Sequence, residues 1–133
     1  MNYRKPASFK TAVDFQAYLE KNGIHLPYDE TLAAPGESPL AKPLTVDGLT
    51  ISNRFAVLPM EGWDAQTDGH PSQLTLRRWS HFGSSGAKLI WGGEAAAVRP
   101  DGRANPNQLI ISPDTLDSFK LLRRTLVESH RQA

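Results

Sequence analysis

Cysteine is absent from the 133 residues. That excludes disulfides, thiolate nucleophiles and cysteine-ligated zinc or iron–sulfur centres from this sequence. Charge of either sign is not in excess: 15 lysines and arginines face 14 aspartates and glutamates, a formal net charge of +1. So balanced a surface lacks the electrostatic footprint of a nucleic-acid or anionic-membrane partner, and neither is expected. Long apolar runs are also missing. The N-terminal MNYRKPASFK has no signal-type apolar core, and no stretch approaches the roughly 20 residues of a membrane span. The expected location is cytoplasmic. His25, His70, His81 and His130 show no metal-ligand spacing, so no metal site is expected.

What is present reads as a soluble domain with a modest core, 39% hydrophobic and 22% charged. Ser8 is a candidate cap for a first helix. Phe9, Ala12, Val13, Phe15, Tyr18 and Leu19 form its apolar face, and Gly23 suits its stop. From Pro27 to Pro43 repeated prolines and Pro35-Gly36 oppose regular structure. Asp47-Gly48 between Leu44-Thr45-Val46 and Leu49-Thr50-Ile51 predicts a two-residue hairpin.

A first main strand is expected over Arg54 to Leu58. The turn signal Thr67-Asp68-Gly69 follows, then a helix from Ser72 to Phe82 packing through Leu74, Leu76, Trp79 and Phe82. Gly83 and Gly86 are expected to break it before a second strand, Ala87 to Trp91. The spacing between the two strands suits a strand, crossover helix and parallel strand. A loop over Arg99 to Asn107 precedes Ser112-Pro113-Asp114, which opens a helix with the stripe Leu116, Phe119, Leu122, Leu126 and Val127.

Ligand chemistry in parallel α/β proteins gathers where strands hand over to loops. Two such places stand out: Leu58-Pro59-Met60-Glu61 and Gly92-Gly93-Glu94-Ala95. Simpler readings accompany them. Arg77-Arg78 and Arg123-Arg124 read as solvated faces, Asp64 and Asp68 as loop carboxylates, and Arg103 as a loop anchor. Trp79 and Trp91 read as core or interface aromatics, and Gly92-Gly93 as a packing or turn feature rather than a phosphate cradle. Met60 by itself suits a core position, and Glu61 a salt-bridged loop carboxylate.

In this order the motifs resemble those of the old yellow enzyme family of FMN-dependent NAD(P)H oxidoreductases. Asn53-Arg54-Phe55-Ala56-Val57-Leu58-Pro59-Met60 is similar to the family's first-strand motif, and Asp68-Gly69-His70-Pro71-Ser72 to the loop that follows. Gly86-Ala87-Lys88-Leu89-Ile90 with Glu94-Ala95 is similar to its second strand and strand end. Val98-Arg99-Pro100-Asp101-Gly102-Arg103 is similar to the next loop.

The resemblance implies an α/β fold: the opening βα units of a (β/α)8 TIM barrel, preceded by a helical leader and a small β-hairpin. Residues 1–43 would be the leader and 44–133 the first part of the barrel domain. A complete barrel takes about 250 residues, so the barrel is expected to be incomplete here. Its open strand edges would be covered by self-association or by the rest of a longer chain. FMN is the implied cofactor, with NADH or NADPH as reductant and a small electron-poor molecule as acceptor. Carried over by position, Leu58, Pro59, Met60, Glu61 and Ala95 would lie beside the flavin, and Trp63 would line the substrate pocket. No catalytic residue is assigned, since the family's substrate anchors, proton donor and phosphate-binding loops belong to later strands. Glu61 stands where relatives commonly have threonine or cysteine, and Gly92-Gly93 replaces a more apolar run. The rival expectation is a non-catalytic remnant or interaction module; a third is a barrel for another phosphate ligand sharing these opening units.

Overall fold

The computed structural model describes residues 3–133, which divide into two compact units, one ending at Pro35 and the other Gly36–Ala133. In the first unit, Pro6–Ser8 form a 3-10 turn and the helix α1 spans Ala12–Lys21. Its cap is Thr11 rather than Ser8. Phe9 is extended after the 3-10 turn, so the helix starts afresh, and the Thr11 hydroxyl accepts from Asp14 N–H at 3.1 Å. The stop is at Gly23 as anticipated, with φ +62°. There Ile24 N–H returns to Leu19 O and Gly23 N–H to Glu20 O, the paired bonds of a Schellman motif. Phe9 packs against Phe15 and Tyr18, and Phe15 against Tyr28, while Val13 points to solvent.

The second unit begins its regular structure with the expected hairpin, β1 (Leu44–Val46) antiparallel to β2 (Leu49–Ile51). Asp47 and Gly48 have φ +49° and +80°, the pair of positive values that a type I′ turn demands. Next comes a βαβ unit: β3 (Ala56–Val57), α2 (Gln73–Ser84) and β4 (Leu89–Ile90). β3 and β4 are parallel, with Ala56 opposite Leu89 and Val57 opposite Ile90. The ladder is shorter than the sequence suggests, since Pro59 has no N–H to offer it. Asn53 ties the strand starts together: its amide donates to Gly86 O at 2.9 Å and its oxygen accepts from Lys88 N–H at 3.2 Å.

Ser72 caps α2 reciprocally with Thr75, and Thr75, Trp79 and Gly83 are the buried positions on one stripe of the helix. Leu74 lies off that stripe and is exposed, contrary to expectation. Gly83 does not break the helix. It stays inside α2 because its Cα abuts the Leu126 carbonyl of α3 (Leu116–Gln132), where a Cβ would have no room. α3 opens as expected at Ser112, through a 3-10 turn over Pro113–Thr115. Thr115 Oγ1 anchors that entry by donating to Ile110 O at 2.6 Å. Leu116 is exposed where the stripe predicts burial, since it belongs to the first turn.

Ala65, Trp79, Leu109 and Leu122 form the core, with Leu76, Phe82, Phe119 and Leu126 against it. A parallel bridge between Ala97 and Ile110 was not anticipated. Mixed helices and small sheets thus hold an open parallel pair, with no closed barrel among the described residues. Among the described residues, no helix is long and apolar enough to cross a membrane.

Candidate functional site at the strand ends

Two backbone bonds link the chain past both strands, the second shifted by one residue from the strand register. Trp91 N–H donates to Val57 O at 2.9 Å, and Ala95 N–H to Met60 O at 3.2 Å. Between them Gly92 and Gly93 adopt φ +69° and +68°, and Glu94 N–H closes a three-residue turn on Gly92 O at 2.7 Å. A Cβ on Gly93 would stand 2.6 Å from Trp79 Cη2, so glycine is required there twice over. The pair serves turn and packing, as the sequence suggests. Its consequence is that the chain reverses just where Glu94 can enter the interior.

Glu94 is the buried polar centre of these loops, with its side chain 1% exposed. Oε1 accepts from Gly62 N–H at 3.0 Å; Oε2 accepts from Arg78 Nη2 at 2.8 Å and Trp79 Nε1 at 3.2 Å. Arg78 Nη2 also reaches Asp64 Oδ1 at 2.7 Å, and that oxygen accepts from Thr75 Oγ1 at 3.0 Å. Arg78 is therefore an internal bridge between two carboxylates, not part of a solvated face; Arg77 is exposed as expected. Gly62 O in turn accepts from Asn105 Nδ2 at 2.9 Å. A Cβ on Gly62 would run into Glu94 Oε1 and the Arg78 guanidinium. Only glycine permits this knot.

Burial raises the Glu94 pKa above its ordinary value of 4.5, and the Asp64 charge adds to the rise. The Trp79 N–H, the Arg78 charge and the Gly62 N–H act against it. For an acid whose folded pKa is raised, the stability contributed is complete below the unfolded value and lost as pH rises through the folded one. Glu94→Gln should therefore flatten this slope from pH 4.5 upward. Urea unfolding of both proteins across that range measures it; parallel stability curves would contradict it. The exposed Asp68, Asp101 and Asp117, whose pKa values are lowered, are common to both proteins and cancel in the comparison.

Leu58, Pro59, Met60, Glu61 and Trp63 all lie exposed on the loop after β3, Met60 at 73% and Trp63 at 70%. Met60 is therefore not a core residue. Ala95 is half-buried and adjacent to Met60 through the backbone bond; its N–H is taken by Met60 O, and its carbonyl accepts from Gln108 Nε2 at 2.9 Å. The geometry thus brings together Met60 and Ala95, with Glu61 and Trp63 flanking the clamped Gly62.

Trp79 is core, whereas Trp91 is exposed beside the strand end. Asp64 pairs with Arg78, while Asp68 Oδ1 takes the His70 N–H at 3.0 Å and lies 3.3 Å from His70 Nδ1, so the two aspartates have separate partners. Arg103 anchors its loop as expected, donating to Thr67 O and Pro106 O. The Glu94–Arg78 pair escaped sequence reasoning, although a glycine two residues past Met60 and a carboxylate after Gly-Gly were visible signals.

No protein-family model matches the chain, and no curated protein does. Among solved structures it is similar to Old Yellow Enzyme from Pichia sp. AKU4542, with a TM-score of 0.57 and 17% identity. The match covers 73% of this chain and 25% of that one, so the chain spans about a quarter of the structure it resembles. A likeness at this identity shows a shared fold alone.

Proposed function

We propose that this chain forms the front wall of a flavin site in an FMN-dependent oxidoreductase. The observation that carries the reading is the Met60–Ala95 backbone bond, which joins two parallel strand ends beneath exposed apolar side chains. Such strand-end loops are where α/β scaffolds place ligands. The residues present fit one face of a flat ring: Leu58, Pro59 and Met60 offer apolar contact, and Ala95 is small enough for close approach. Gly92-Gly93 is occupied with its turn and with Trp79, so these loops supply the ring's surroundings rather than a phosphate cradle.

Bound FMN would supply hydride transfer from NADH or NADPH to a small electron-poor acceptor. The chain's own part is to exclude water from the ring with Leu58 and Met60, to line the acceptor pocket with Trp63, and to hold the Glu61 charge nearby. A carboxylate there disfavours negative charge on the reduced ring. In the FMN-loaded protein, Glu61→Ala should raise the flavin potential by about 30 mV, a tenfold change for a two-electron couple. Spectroelectrochemical titration reads it directly. An unchanged potential would remove Glu61 from the site.

The interaction-module reading also draws on an observation. Among the described residues β3 and β4 pair only with each other, and Leu58, Trp63 and Trp91 are exposed nearby. Open edges of this kind call for further strands, from a longer chain or from a second copy. The isolated 133-residue chain should therefore self-associate in sedimentation, and a clean, stable monomer would count against open edges that need covering.

A further inference from the structure

We infer that Glu94 is a positioning residue, whose carboxylate holds the Met60–Trp63 loop in place through the Gly62 amide. Its bearing on a flavin site rests on the proposed function; the clamp itself rests on geometry alone. Gly62 lies between Glu61 and Trp63, the residues assigned to the ring and to the acceptor pocket. Its N–H ends on Glu94 Oε1 and its carbonyl on Asn105 Nδ2, so both backbone groups of this one residue are fastened to buried side chains. The other carboxylate oxygen is fastened to α2 through Arg78 Nη2 and Trp79 Nε1. An exposed loop is thereby tied to a helix by one side chain.

The three named partners of the carboxylate are all donors, as an ionised acid requires. Asp64 and Arg78 are the charged groups that share its surroundings, and Arg78 joins the two carboxylates. An amide in place of the acid has only one oxygen, so in Glu94→Gln an NH2 group must face either Gly62 N–H or the α2 donors. Near-isosteric exchange should therefore loosen the loop without opening the core. That distinguishes a positioning residue from a residue that merely adds stability.

The test is residue-resolved amide hydrogen exchange on the full 133-residue chain, with no flavin added, so failure of the flavin reading leaves this result untouched. In Glu94→Gln the Gly62 amide should exchange faster by a factor at least about tenfold larger than any rise at the Leu122 amide of the α2–α3 core, which reports only the global loss of stability. An equal rise at both amides, or none at Gly62, overturns the inference. A second measurement needs no variant. In the unmodified chain, the Gly62 amide chemical shift should titrate with the midpoint of the Glu94 side-chain carboxyl carbon. Independent midpoints would overturn the inference equally.

Discussion

Glu94→Ala should destabilise the Gly36–Ala133 unit by about 2–6 kcal/mol, the cost of leaving two buried donors unsatisfied. Three groups lose their acceptor at once: Gly62 N–H, Arg78 Nη2 and Trp79 Nε1. Asp64 still holds Arg78, which is partly exposed, so the guanidinium charge does not stand alone. The Gly62 and Trp79 donors have no such substitute, and each unsatisfied buried donor costs about 1–3 kcal/mol. Glu94→Gln keeps shape and one oxygen, and so should lose less than the alanine variant. Domains of this size hold about 5–15 kcal/mol in total, so the alanine variant should unfold at markedly lower urea. A loss below about 1 kcal/mol, the range of an exposed pair, would show that Glu94 is not the buried centre described above.

Leu122→Ala is the second large effect expected, at about 2–5 kcal/mol from lost burial and the cavity left behind. Leu122 is fully buried in a cluster with Ala65, Trp79 and Leu109, where α3 meets both α2 and the loop that follows Gly62. The group removed is apolar and carries no proton to exchange, so the loss should be almost independent of pH, unlike that of Glu94→Gln. Leu116→Ala is the matched control: its side chain is exposed, and its loss should stay within about 0.5 kcal/mol. Equal losses at the two leucines would mean that α3 packs by a different face.

What could be read from the sequence were features governed by local rules. Asp47-Gly48 names its turn because both positions need positive φ; Ser72 and Ser112 name helix starts because a hydroxyl there serves amides that have no helical partner. The strand spacing foretold the parallel pairing. Contacts set by distant partners were not legible. Glu94 needs Gly62, 32 positions away, and Arg78, 16 away, before its carboxylate can be buried at all. Gly83 reads as a helix breaker until α3 packs against it, and Ser8 reads as a cap until Pro6 starts a 3-10 turn. Leu74 and Leu116 are apolar near helix starts, where periodicity alone does not say which side faces the core.

If these loops form one wall of a flavin site, the natural protein binds flavin without any substitution. Native mass spectrometry should be run on the protein isolated from its own cells under conditions that keep noncovalent ligands bound. The polypeptide containing this sequence should carry one FMN, released on denaturation. A polypeptide that is natively folded and free of flavin would contradict it, and the exposed strand-end face would then belong to a protein partner.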